Sequence, residues 1–79
     1  MKIYTPDVIA LANEIAEKLN DKQSINTYLK IAERYKEEHI RRILDKVLSI
    51  PPNEIRKTPG ALFTFLIMQQ HESRYYSRD

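Results

Sequence analysis

One segment decides the fold: residues 56–70, which read RKTPGALFTFLIMQQ. Thr58 can accept a hydrogen bond as the N-cap of a helix, and Pro59 suits the first helical position because no backbone N–H is needed there. The run 61–68 contains one polar residue, Thr64. Its apolar side chains would occupy two adjacent stripes of a helix instead of one. The segment therefore predicts a helix that begins near Pro59 and lies at the centre of the domain.

Three amphipathic helices are predicted before this segment, because apolar residues recur there at the i, i+3, i+4, i+7 spacing. Thr5 is the expected N-cap of the first helix and Ser24 that of the second. The third helix should end before Pro51, since the residue that precedes a proline is pushed out of the α region. The predicted helices span about residues 6–19, 25–35, 37–49 and 59–74.

The junction between the second and third helices carries neither glycine nor proline, so one long kinked helix over residues 25–48 is an alternative. A continuous helix would place Lys36, His39 and Arg42 in the apolar stripe. The pattern therefore favours two separate helices with a break at Lys36-Glu37.

Composition fits a small all-α bundle of four helices that forms a single domain over residues 1–79, with a tail at about 75–79 free to fray. No alternation typical of strands occurs, and the sequence has no cysteine. No apolar run approaches the ~20 residues that span a bilayer, and the N-terminus lacks the apolar centre of a signal peptide. These features predict a soluble cytoplasmic protein that has no membrane partner.

Residues suited to catalysis are sparse. The two histidines, His39 and His71, lie neither in an H-E-x-x-H motif nor four positions apart, and the one glycine, Gly60, cannot form a phosphate-binding loop. Serine and threonine hydroxyls are explained as helix caps or surface groups. We therefore expect no enzyme activity, catalytic residue, metal, cofactor or small-molecule substrate.

Basic residues are unevenly distributed, with a net charge of −1 in residues 1–33 and +3 in residues 34–79. A cationic pair at the start of the fourth helix stands where unpaired N–H groups attract anions. Cations also alternate with tyrosines in the tail, a pattern suited to single-stranded bases. The first hypothesis is accordingly a module that contacts DNA or single-stranded nucleic acid. Its candidate residues are Arg41, Arg42, Lys46, Arg56, Lys57, Arg74 and Arg78.

The second hypothesis is a helical interaction module, either a homodimer or an adaptor, without direct contact to nucleic acid. Surplus apolar surface on the fourth helix and the tail tyrosines would meet the partner, since aromatics and Met are enriched at the centre of interfaces. Its candidate residues are Phe63, Ile67, Met68, Tyr75 and Tyr76. A plainer alternative also stays open, in which the arginines keep a small bundle soluble and the tyrosines fold onto the core.

Part of the chain resembles helical modules of bacterial replication-initiation and primosome-loading proteins of plasmids, phages and mobile elements. The resemblance lies in three stretches, YLKIAERY (28–35), HIRRIL (39–44) and IRKTPGALFTFL (55–66). The basic-Thr-Pro-Gly-Ala-Leu-Phe step is the specific part. The resemblance implies an accessory module that associates with DNA, a second copy or a replication protein. The expected winged-helix domain on the N-terminal side is missing, which argues against autonomous sequence-specific DNA recognition.

Overall fold

A computed structural model describes residues 3–77, and side chains for residues 3–69. Four α-helices follow one another, and two short 3₁₀ turns lie at Lys22–Ser24 and Pro52–Glu54. The described part of the chain contains no strand, so the predicted all-α class with four helices is confirmed. The helices are α1 (Pro6–Lys18), α2 (Ile25–Arg34), α3 (Glu37–Leu48) and α4 (Pro59–Ser77).

Threonine caps begin two of the helices, as the sequence predicts. The Val8 N–H donates to Thr5 Oγ1 at 3.3 Å, and the Ala61 N–H donates to Thr58 Oγ1 at 3.1 Å. Each bond satisfies one of the backbone donors left unpaired at a helix start. Ser24 stands at the predicted N-cap of α2, but its side chain makes no capping hydrogen bond there.

The break between α2 and α3 lies at Tyr35-Lys36, one residue before the predicted position. Tyr35 (φ −111°, ψ 154°) and Lys36 (φ −68°, ψ 142°) are extended, so the alternative of one kinked helix is wrong. The change of direction lets the apolar stripe of α3 face the core, and it leaves Arg42 exposed.

The end of α1 positions a side chain that matters for α4. Asn20 has a positive φ of 53°, its N–H donates to the Glu17 carbonyl at 3.1 Å, and the Asp21 N–H donates to the Ala16 carbonyl at 2.8 Å. This pair of bonds is a Schellman cap, a helix ending in which asparagine is one of the few residues tolerated at the left-handed position. The Asp21 carboxylate that follows accepts a hydrogen bond from Tyr28 Oη at 2.8 Å.

The core lies between the apolar stripes of all four helices. α1 packs chiefly on α2 and α3 on α4, while the edge-to-face rings of Tyr28 and Phe63, 6.0 Å between centroids, join α2 to α4. Its largest fully buried side chains are Tyr28, Phe63, Ile15, Ile40, Ile43, Leu44, Ile67 and Val47.

The fourth helix, which the sequence predicts at the centre of the domain, buries one of its two apolar stripes in the core and leaves part of the other exposed. Phe63 and Ile67 are fully buried, whereas Phe65 is 58% and Met68 52% exposed. A chain of this length supplies too few other helices to surround a fourth one. α4 therefore closes one side of the core and presents apolar side chains outward.

Candidate interaction surface

An open groove lies along the start of α4, between this helix and the segment that leads into it. Its volume is about 590 Å³. We call it the Phe65 groove, and its lining residues are Glu54, Ile55, Arg56, Lys57, Thr58, Ala61, Leu62 and Phe65.

Local sequence builds this groove. The 3₁₀ turn Pro52–Glu54 ends at Ile55, which is extended (φ −95°, ψ 120°), and Thr58 then caps α4. The connecting segment consequently runs past the first turns of the helix. Ile55 and Leu62 are partly buried, whereas the side chain of Phe65 stands exposed.

A second groove of about 410 Å³ shares Thr58, Ala61 and Phe65 with the first. The rest of its lining contains three hydroxyl groups and one carboxylate and no cation. These lining residues are Asp21, Ser24, Thr27, Gly60 and Thr64. Ala61 and Phe65 therefore form a ridge with a basic groove on one side and a hydroxyl-rich groove on the other.

Gly60 brings α4 close to the Tyr28–Asp21 hydrogen bond. A Cβ at position 60 would lie 2.5 Å from Tyr28 Oη and closer still to Asp21 Oδ2. Burial, together with the bond to Asp21, raises the pKa of Tyr28 well above its ordinary value, so the phenol keeps the proton that it donates. The role of this glycine is therefore close packing between helices.

The helix end that was expected to attract phosphate already faces a carboxylate of the chain. Asp21 Oδ2 lies against Gly60 in the first turn of α4, where the helix dipole favours negative charge. An internal carboxylate therefore lies beside the first turn of α4.

Arg41, one of the predicted phosphate contacts, is tied into an ion-pair network. Its Nη1 and Nη2 donate to the Glu14 carboxylate at 2.8 and 3.0 Å, and its Nε donates to Glu37 Oε2 at 2.8 Å. Hydrogen bonds from Arg41 and then Lys18 lower the pKa of Glu14 to about 2. Arg41 thus links α3 to α1.

The other predicted cations with described side chains belong to two different segments of the chain. Arg56 and Lys57 line the Phe65 groove, whereas Arg42 and Lys46 are exposed on α3 and line neither groove described above. The side chains of Arg74 and Arg78 lie outside the described residues. Arg56 and Lys57 are therefore the candidates that line the apolar Phe65 groove.

The predicted protein-interface residues divide in the same way. Phe63 and Ile67 are fully buried, so in this fold they cannot meet a partner, whereas Met68 is half exposed. Phe65 was absent from the predicted interface although it is more exposed than Met68. A signal existed in the sequence, because Gly60, Phe63 and Ile67 share one face and glycine marks a close approach. The side chains of Tyr75 and Tyr76 lie outside the described residues.

Within the described residues, no cluster of three His, Cys, Asp or Glu side chains could hold a metal ion. No helix among them is both long enough and apolar enough to cross a membrane. No family model matches the chain, and neither a curated protein nor a solved structure matches it. The resemblance to replication-initiation modules stays a prediction.

Proposed function

We propose that the protein is a non-catalytic, cytoplasmic helical module that binds a partner protein through the Phe65 groove. The proposal rests on the composition of this groove. An exposed Phe65 lines it together with the partly buried Ile55 and Leu62, and two exposed cations lie in the same lining. Interfaces combine an apolar, aromatic-rich centre with a polar rim, and arginine is common among residues that dominate binding.

The groove lining favours binding over catalysis. Its hydroxyl, Thr58 Oγ1, is engaged in capping α4, and the lining holds no histidine to act as its base. A nucleophile needs a base within hydrogen-bond reach. The residues of this groove are therefore better suited to contact than to reaction.

Photo-crosslinking tests the proposal. Benzoylphenylalanine replaces Phe65 in the full chain, expressed in the cells from which it comes, and the matched control carries the same group at exposed Asp45 on α3. We expect adducts at position 65 that protease destroys and nuclease does not. No adduct, or equal yield at position 45, contradicts the proposal.

Association with nucleic acid is the second candidate, and the observation that favours it is that Arg56, Lys57 and Phe65 line one groove. Cations that follow a backbone beside an aromatic face for stacking are the parts of a single-strand site. Such binding should weaken steeply with salt, because neutralised phosphates release counterions.

Fluorescence anisotropy with single- and double-stranded oligonucleotides at low and physiological salt measures this candidate directly. Binding that falls with salt and is lost in the Arg56→Glu/Lys57→Glu variant supports it. No binding at either salt removes it.

A further inference from the structure

We infer that the occupant of the Phe65 groove is an amphipathic helix of a partner protein, with acidic side chains beside its apolar stripe. The inference rests on the proposed protein-binding function of this groove and adds the chemistry of the partner.

The groove fits one of the recurring modes of peptide recognition better than the others. Strand addition needs an exposed sheet edge, and residues 3–77 contain no strand. Polyproline recognition uses grooves lined by several aromatic rings, whereas this lining has one, Phe65. An apolar, largely aliphatic groove along a helix is the surface into which an amphipathic helix packs.

The ridge of α4 suits packing of a second helix. Ala61 and Phe65 lie one turn apart and separate the two grooves. Helices pack when the ridge of one enters the groove of the other, and the small side chain of Ala61 allows a close approach. The partner would therefore lay an apolar stripe along the ridge.

The charged residues of the groove indicate which side chains should lie beside the apolar stripe of the partner helix. Arg56 and Lys57 line the first groove against a single acid, Glu54, while Asp21 lies on the other side of the ridge. Arginine pairs well with carboxylates because its guanidinium matches their geometry. Acidic side chains are thus favoured on the flank that faces Arg56 and Lys57.

A second copy of the chain fits this groove less well. An isologous pair uses the same patch on both subunits, so it would bring two Arg56-Lys57 pairs into one interface. The two Glu54 carboxylates of such a pair would offset half of this charge and leave a net charge of +2 in the interface, which disfavours a homodimer through this face and favours an acidic partner.

The test uses two synthetic peptides of about 16 residues, long enough to form several helical turns. Both carry leucine at i, i+3, i+4 and i+7; one has glutamates and the other lysines at the flanking positions. Amide shifts of the ¹⁵N-labelled full chain report binding. We expect the glutamate peptide to bind about tenfold more tightly at low salt, with shifts centred on Ala61, Leu62 and Phe65.

Charge reversal sharpens the test. The Arg56→Glu/Lys57→Glu variant should prefer the lysine peptide, whereas the matched Arg42→Glu/Lys46→Glu variant should keep the original preference. Equal affinities, no reversal, or no binding of either peptide overturns the inference.

Crosslinking at position 65 shows whether a negative peptide result contradicts only the acidic-helix inference or also the proposed protein-binding function. If a different protein is crosslinked but the peptides show no charge preference, the inference falls and the protein-binding function stands. If the adduct is a second copy of the chain, the inference also falls. If the adduct is nucleic acid, both fall.

Discussion

Phe63 and Phe65 lie two positions apart on α4 and have opposite surroundings. Phe63 is fully buried and packs edge to face on Tyr28, whereas Phe65 is 58% exposed on the ridge between two grooves. The apolar run of α4 is therefore divided between folding and a surface left uncovered. Two arginines also differ in their surroundings. Arg41 donates hydrogen bonds to two glutamates, whereas Arg56 lies exposed at the groove.

Replacing the buried Phe63 should reduce stability more than any other change considered for α4. Phe63→Ala removes a ring that is completely enclosed, and it should lower the free energy of unfolding by about 3–5 kcal/mol through lost burial and an unfilled cavity. Urea unfolding followed by circular dichroism measures the change. A loss as small as that of Phe65→Ala would show that the two faces do not differ as described.

Gly60→Ala should cost less, about 1–3 kcal/mol, because the added methyl group overlaps Asp21 Oδ2 and Tyr28 Oη, so that either this hydrogen-bonded pair or α4 must shift. Removing the hydroxyl in Tyr28→Phe relieves one of the two overlaps. The double variant should therefore be more stable than the sum of the two single losses predicts. Strict additivity in the same urea experiment would refute the close approach.

The ion pair of Glu14 gives a smaller, pH-dependent effect. Its pKa falls from 4.5 to about 2 on folding, so its stabilisation is present above about pH 4.5 and disappears as the pH falls towards 2. Because about a third of this side chain is exposed, solvent screening limits the contribution to about 1 kcal/mol or less.

Glu14→Gln should accordingly lower stability near pH 7 and become equal to the natural chain near pH 2. Unfolding measured in urea across this range checks the prediction. A difference that does not change with pH would exclude the ion pair as its cause.

The smallest effect on stability is expected for Phe65→Ser, within about 0.5 kcal/mol, since this ring contributes little to the core. Thermal unfolding monitored by circular dichroism measures it. A loss of several kcal/mol would place Phe65 among the residues that hold the fold.

Local chemistry made much of the fold predictable. Thr5 and Thr58 cap the helices that they were expected to cap, and the apolar period located the break at Lys36. The helix bounds agree within a few residues, although α4 continues to Ser77 instead of ending near residue 74.

The partners of polar groups and the covered stripe of α4 were harder to predict. Arg41 finds Glu14 across 27 positions of the chain, a pairing that no local spacing reveals. Both stripes of α4 are apolar, so periodicity alone could not tell which one faces the core. Gly60 carried the relevant information, but its close approach to Asp21 depends on how α1 ends.

One paired measurement tests the central claim, that the outer face of α4 is a binding surface and its inner face is core. Phe65→Ser and Phe63→Leu are compared for stability by urea unfolding, and for partner capture with a photo-crosslinker at exposed Met68. We predict that Phe65→Ser keeps the stability of the natural chain and loses the adduct. Phe63→Leu should lose stability and keep the adduct in its folded fraction. The claim is contradicted if Phe65→Ser retains the full adduct, or if both variants lose stability and adduct together.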